Sequence, residues 1–486
     1  MNNLIVVSNP ANWPISIPNA MLVSAKDYLT DLNLSQMRNV RVYNLCRSFR
    51  YQSLGYYVSL LAAARGHHPL PNVMTIQDMK NQSMIRFVSD ELDELIQKSL
   101  ASLVTERFVL SIYFGRNLAK KYDRLSRYLY NMFPSPSLRA YFVYQQKWQL
   151  QNIMPVPAKD IPEEHFAFLH EVAVSHFSGK RVSTLKRSTF RYDLAILVDP
   201  AEEEPPSNER AIQKFVKAAE SLGIYAETIT REDSGRLLEY DALFIRETTS
   251  VHHHTYRLAR RAEAEGMAVI DDPQSILRCT NKVYLAELLQ KNRIRTPQTW
   301  ILHRDNKNHL MKTLPYPCIL KQPDSSFSQG VLRVDQADQF QEEAGRLLEK
   351  SELVIAQAYV PTPFDWRIGI LEDQPIFVCK YYMAGRHWQI IRRDAKGRIY
   401  EGKSDTLPVS EVPPAILSEA LKATRLIGNG LYGVDVKEID GQPYIIEVND
   451  NPNVDAGVED RIMGDDLYRH VMQVFLNRIE RGKKPV

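Results

Sequence analysis

The stretch Ile445–Asn453, reading IIEVNDNPN, with GVDVKEIDGQ just before it, restricts the fold more than any other part of the chain. Val434 and Val436 alternate with Asp435 and Lys437, and Ile446 and Val448 alternate with Glu447 and Asn449. A period of two on both arms is the signature of strands with one apolar and one polar face. Asp440-Gly441 marks the turn between them. Parity sets a condition on that turn. A two-residue loop pairs Asp435 with Ile446 and sends Asp435 and Glu447 to opposite faces. A three-residue loop, Ile439-Asp440-Gly441 with Gly441 at positive φ, puts both carboxylates on one face, and this is the expected form. Asp435, Glu447 and Asn449 then converge as oxygen donors with no His or Cys among them. Hard oxygen ligands suit magnesium, which fills the rest of its shell with water and phosphate.

GVDV followed after a turn by EVNDNPN resembles the metal-binding end of the ATP-grasp ligases, close to the RimK-type peptide and glutamate ligases. The resemblance spans residues 192–480 and implies an ATP-grasp fold in which Asp435, Glu447 and Asn449 hold two Mg2+ ions on ATP, with Mn2+ as the alternative ion. It implies that Lys282 binds nucleotide phosphate and that Gln357, Ala358, Tyr359 and Val360 form the adenine hinge. It further implies that Asp365 and Arg367, in the run Asp365-Trp366-Arg367, handle ribose and either the acidic substrate or phosphate; a salt bridge between the two is the structural alternative. Among Lys380, Arg386, Arg392 and Arg393, relatives use a cation for the γ-phosphate and the acyl phosphate, and Lys380 is the preferred candidate.

The residues themselves add two features. Lys321 ends an apolar run, CILK, ahead of a loop of small polar residues that includes Ser325 and Ser326. An ammonium beside backbone N–H groups and hydroxyls makes a phosphate clamp. That loop holds one glycine, Gly330, where relatives are glycine-rich. Its composition predicts ordering only on nucleotide binding.

At 486 residues the chain has length for about three domains. We delimit an N-terminal mixed α/β domain at 1–177, a small parallel α/β domain at 192–275 and an ATP-grasp domain at 276–480, an α/β (α+β) class overall. In the first, LIVVSN, VRVYNL, RFVLSIYFG and LRAYFVYQ read as strands, YYVSLLAAARG as a helix and HHPLPN as a turn. His67 and His68 are expected to cap that helix rather than bind metal. This third resembles the N-terminal domain attached to one branch of RimK-like ATP-grasp proteins. Residues 161–177 read as an amphipathic helix, and the basic run after them as a linker.

From 192, strands and helices alternate (YDLAILVD, ERAIQKFVKAAESLG, AETIT, ALFIR, RLARRAEAEG, MAVID), which implies a parallel sheet. No GxGxxG follows a strand, so a dinucleotide site is not supported. Arg246 ends ALFIR, and the carboxyl ends of parallel strands are where such sheets bind ligands. His252, His253 and His254 are consecutive, so at most two could share an ion, and a metal there is not expected.

Hydrophobic content of 44% and charged content of 24% are ordinary for a globular protein. Four scattered cysteines without a CxxC pair argue against disulfides and zinc and for a reducing compartment. No basic leader and no membrane-length apolar run is visible, so a cytoplasmic protein is expected. Residues 1–155 carry 17 Lys+Arg against 9 Asp+Glu, a basic balance that could receive an acidic partner or equally be an ordinary surface.

The expected activity is ATP- and magnesium-dependent ligation of a carboxylate to an amine through an acyl phosphate, on an amino acid or peptide. Arg367, Lys380 and Arg246 are the candidate catalytic cations, with Arg246 and Arg367 orienting the carboxylate. No Ser/His/Asp or Cys/His constellation is visible, in keeping with a route without a covalent enzyme intermediate. A non-catalytic ATP-binding sensor and a phosphotransferase are the rival readings. No nucleic acid or membrane partner is expected, and association into a homo-oligomer is left open.

Overall fold

The computed structural model describes all residues except 1, 14, 38–39, 179–189, 325–329, 385–387, 394–398 and 483–486. The chain divides into two compact units, the first holding Met1–Asp193 with Glu232–Tyr240, the second Leu194–Arg231 with Asp241–Val486.

The first unit has a parallel sheet in the order Ala20–Ser24, Asn2–Val7, Val40–Asn44, His68–Leu70, and an antiparallel sheet of Arg107–Tyr113, Ser137–Gln145 and Lys147–Pro155. HHPLPN is therefore not only a turn, since His68–Leu70 adds an edge strand. Nor does His67 cap a helix. Its ring is buried, with Nδ1 2.8 Å from the Tyr28 hydroxyl and Nε2 3.0 Å from the Met37 carbonyl. Burial pushes its pKa down. Glu232–Tyr240 belongs here because Glu239 meets Arg41: the two form a buried ion pair at 2.9 Å, and Arg41 also donates to the Glu239 carbonyl. A buried arginine without such a partner would be costly.

In the second unit, Ala268–Ile270 and Tyr192–Leu197 (from Leu194 on) flank Ala242–Ile245 in parallel, as the alternation implied, and Ile224–Ile229 completes the four-stranded sheet beside Tyr192–Leu197. The long helix Asp465–Gly482 packs on it through Phe475 against Phe244, and on the helix Glu209–Ser221 through Tyr468 against Phe215. Two antiparallel sheets follow. One runs Thr299–Leu302, Val354–Ala358, Cys318–Lys321, Val331–Val334. The other runs Ser404–Leu407, Gln374–Tyr382, Phe364–Leu371, Leu431–Ile439, Gln442–Asn449. Its apolar face, with Ile368, Val434, Val436, Ile445 and Val448, buries against Ile416, Ala420 and Ala423 of the helix Pro414–Arg425.

The 431–449 hairpin reaches one-sidedness by a different route from the expected one. Its loop is two residues, Asp440 and Gly441, both at positive φ (49° and 72°), the conformation that suits a tight hairpin and that Asp-Gly favours. Parity is restored by a bulge. Val436 pairs with Ile445 while Asp435 pairs with Glu447, so Ile446 is the extra residue. Ile445 and Val448, three apart, can therefore both be fully buried, while Glu447 stays opposite Asp435.

Candidate active site

Both antiparallel sheets and the loops after the parallel strands line one cavity of about 740 Å³ in the second unit, a volume suited to a small-molecule site. Lys282, Lys321, Gln357, Ala358, Tyr359, Val360, Asp365, Arg367, Asp435, Glu447 and Asn449 all border it.

At its centre the hairpin presents Asp435, Glu447 and Asn449 from one face, with Gly433 opposite Asn449 in the ladder. Gly433 has to be glycine, since a Cβ would lie 2.6 Å from the Pro452 Cβ and 3.2 Å from the Arg367 side chain. Glu447 receives Lys282 at 2.8 Å. Lys282 is brought there by the start of the helix Lys282–Lys291, whose N-terminal N–H groups are capped by Asn281. Arg367 grips Asp435 with both arms of its fork, Nε to Oδ1 at 2.5 Å and Nη2 to Oδ2 at 3.1 Å. Asn449 donates from Nδ2 to Asp435 Oδ2 and to the Gly433 carbonyl, each at 3.3 Å.

The electrostatics follow from this crowding. Burial pushes the Glu447 carboxyl up, but Lys282 and Lys321 outweigh it and hold Glu447 below its ordinary value. Asp435 stays above its ordinary value, because burial exceeds the help from Arg367. Lys321, buried at the end of its strand, is pushed down to about 8 by desolvation, with Glu447 opposing and Lys282 adding to the shift.

Asp365 and Arg367 share a strand face but do not pair with each other. Asp365 Oδ1 is held by Lys437 Nζ at 2.5 Å and by Thr362 Oγ1 at 2.9 Å. Lys437 was not among the expected residues, although it stands two after Asp435 on the same polar face and the alternation could have found it. At the expected hinge, the N–H of Ala358 is spent on the Gln298 carbonyl and that of Tyr359 on Pro317. Tyr359 and Trp388 meet edge to face, with ring centroids 6.2 Å apart, and border the cavity with Ile319 and Val331.

Two expected cations are elsewhere. Lys380 is not among the residues that line the cavity: its ammonium lies 4.7 Å over the rings of both Phe364 and Trp366, on the opposite strand face from Tyr381, which does line it. Strand alternation allows only one of two consecutive residues to face the site. Arg246 is 1% exposed, and its guanidinium donates to Ser207 Oγ, Asn451 Oδ1 and the carbonyls of Pro206 and Pro452. It sits behind the site and holds the Asn451-Pro452 turn. Ser325 and Ser326, with the rest of their loop up to residue 329, and Arg386 lie outside the described residues, as do the side chains of Arg392 and Arg393. Sequence reasoning also missed Tyr381 and Glu459. The Tyr381 hydroxyl donates to the buried Glu459 carboxylate, whose pKa burial raises.

Asp435, Glu447 and Asn449 fit magnesium. They are an all-oxygen set on one rigid hairpin, and the cations now on the carboxylates sit where phosphate oxygens could draw them away.

Residues 25–172 match the model of the RimK-like ATPgrasp N-terminal domain, and residues 279–453 match that of the ATP-grasp domain. The coenzyme γ-F420-2:α-L-glutamate ligase of Methanococcus maripaludis is 23% identical over 54% of this chain and 94% of its own. The α-aminoadipate–LysW ligase of Saccharolobus solfataricus is 26% identical over 49% of this chain and 88% of its own. Among solved structures, the D-alanine–D-alanine ligase of Bacillus anthracis covers 60% of this chain and 98% of its own, with 16% identity and a TM-score of 0.48. The two family domains occur in the order that the sequence implied: the chain carries a RimK-like ATP-grasp N-terminal domain ahead of an ATP-grasp domain, and is similar to RimK-like ligases.

Proposed function

We propose that this cavity joins the carboxylate of an amino acid or peptide to an amine at the expense of ATP. The observation that carries the reading is the one-faced set of Asp435, Glu447 and Asn449 meeting Lys282, Lys321 and Arg367 in a single cavity. Bound ATP would supply the phosphoryl group that turns the carboxylate into an acyl phosphate, from which the amine then displaces inorganic phosphate to form the amide; Mg2+ on Asp435, Glu447 and Asn449 would neutralise phosphate charge. Two ions are the expected number.

The chain's own residues position and balance charge, which is most of what phosphoryl transfer requires. Lys282 and Lys321 present ammonium groups to the phosphates. Tyr359, Trp388 and the apolar Ile319 and Val331 give the base a dry end. Asp365, fixed by Lys437 and Thr362, offers its other oxygen to a ribose hydroxyl. Arg367 orients the carboxylate once its fork is released from Asp435. The names of the relatives, a glutamate ligase and an α-aminoadipate ligase, support an amino-acid substrate. The same reading puts the reaction in the cytoplasm, in keeping with four free, buried cysteines. Among the described residues, no helix is long and apolar enough to cross a membrane.

The test measures ADP release against a panel of amino acids, short peptides and amines, with hydroxylamine as trap. Carboxylate-dependent ADP release with hydroxamate formation is the expected result. ADP release without hydroxamate or amide would favour a phosphotransferase. ATP binding with no turnover on any pair would favour the sensor.

A further inference from the structure

Beyond the nucleotide site, the second unit contains a buried cluster that the ligase reading does not use. Glu247 follows the parallel strand Ala242–Ile245, and His253 and His254 open the helix His254–Ala264. One nitrogen of each imidazole and one Glu247 oxygen lie within 4.8 Å of one another. Glu247 is 1% and His254 8% exposed. His254 Nε2 meets Glu247 Oε1 in close contact, and His253 Nδ1 stands 4.0 Å from the same oxygen. Yet neither Glu247 oxygen and neither His254 nitrogen has a hydrogen bond of proper geometry. His253 Nδ1 has a neighbour in Thr255 Oγ1 at 3.3 Å.

Consecutive histidines seldom point the same way on a helix. Here His253 is extended (φ −96°, ψ 162°) and is the residue before the first turn, so its ring swings beside that of His254, with centroids 3.9 Å apart. His252 is exposed and takes no part. A buried carboxylate held only by contact with two imidazoles lacks the hydrogen bonds that buried charge needs. A divalent ion supplies it. Two nitrogens and one oxygen at about 2.1 Å each are within reach of a ligand triangle this size, and leave a fourth position open. Imidazole ligands select zinc and its neighbours over magnesium.

We propose that Glu247, His253 and His254 form a second metal site, for a zinc-class transition-metal dication, separate from the magnesium site on the hairpin. Its place gives it a positioning role. The Glu247 carbonyl accepts from Asn451 Nδ2 at 2.6 Å, and Thr249 donates to Asp450 at 2.8 Å. Thr248, Thr249 and Ser250 border the cavity. An ion on Glu247 fastens this loop to the turn that follows Asn449.

The test uses the full chain, stripped of metal by chelator and dialysed, then titrated with Co2+ in excess Mg2+. One equivalent is expected to bind with visible bands of low-symmetry coordination, to be displaced by Zn2+, and to raise the melting temperature. Loss of an outer-shell partner typically lowers metal affinity 10–100-fold, so Glu247→Gln and His254→Gln, which remove ligands, should each lower it by at least about 100-fold. Glu447→Gln should leave the Co2+ spectrum unchanged. Absence of binding at micromolar metal, or binding that survives both ligand substitutions, would overturn the proposal and leave a plain imidazole–carboxylate contact. Loss of the spectrum in Glu447→Gln alone would assign the ion to the hairpin. The wild-type titration and melt need no variant to fold.

Discussion

Two arginines in the second unit, Arg367 and Arg246, are used in opposite ways. Arg367 holds one carboxylate, Asp435, at the wall of a cavity, where an incoming anion or ion can compete for either partner. Arg246 is enclosed by two carbonyls, an amide and a hydroxyl from the two segments 206–207 and 451–452, none of which can leave without disrupting its segment. Burial pushes Arg246 down to about 10, with surrounding carboxylates such as Asp271 opposing, whereas Asp435 and its neighbours hold Arg367 above its ordinary value despite burial. An arginine paired with an exchangeable carboxylate at a cavity wall is available for chemistry. One satisfied by main-chain oxygen is architecture. The distinction rests on the partners rather than on the sequence position.

The largest effect should therefore come from the arginine without a chemical role. Arg246→Ala leaves the carbonyls of Pro206 and Pro452 unanswered in a buried place, and is expected to cost about 3–5 kcal/mol of stability. Arg246→Lys should recover little, because one ammonium cannot replace a planar fork. Urea unfolding midpoints check this. A stable Arg246→Ala protein with a raised carboxylate KM would return the residue to the substrate site. Next, Glu447→Gln keeps shape and size but removes charge from the metal and Lys282 contacts. Turnover should fall about 100-fold or more, with folding intact. Steady-state ADP release decides it, and a rate within a few-fold of wild type would end the metal assignment.

A smaller effect is expected at Arg367. Arg367→Lys keeps the charge but loses the two-armed grip on Asp435, so kcat should drop about 10-fold, or roughly 1.4 kcal/mol. The split between parameters is informative. A change confined to ATP affinity would assign Arg367 to the nucleotide, whereas a change in kcat and carboxylate KM would assign it to the acyl group.

The same contrast explains what the sequence could disclose. The parallel sheet was legible because strand–helix alternation is a local pattern, and the hairpin's oxygen-bearing face because period two is local as well. The bulge at Ile446 was not, since it depends on which of Ile445 and Ile446 the helix Pro414–Arg425 can bury. Lys380 was preferred among the cations of its run, where relatives use one, but register against Trp366 turned it to the core face and Tyr381 to the cavity. Arg246 had the right place at a strand's carboxyl end, but its partners come from residues 206–207 and 451–452, a separation that no local pattern reports. The histidine run was set aside on helical geometry, and it is the extended backbone of His253 that brings two of its rings together.

The smallest expected effect is also the one that titrates. Lys321 loses its proton near pH 8 in the free protein, well below the ordinary 10.5, because desolvation opposes its charge. The sign follows from the ligand: a triphosphate favours the ammonium form, so ATP affinity should be full below about pH 8 and decline as pH rises through it. Far enough above that point the decline approaches tenfold per pH unit, which amounts to a few-fold at pH 8.5. ATP binding itself stabilises the proton, so the limb in kcat should lie at higher pH than the limb in kcat/KM. Lys321→Met should bind ATP more weakly at every pH and show no such limb. Measuring ATP KM between pH 6.5 and 9 in both proteins separates this from titration elsewhere. A limb that persists in Lys321→Met would place the titrating group on another residue, whereas its loss would show that Lys321, like Arg367, holds its charge for an incoming anion.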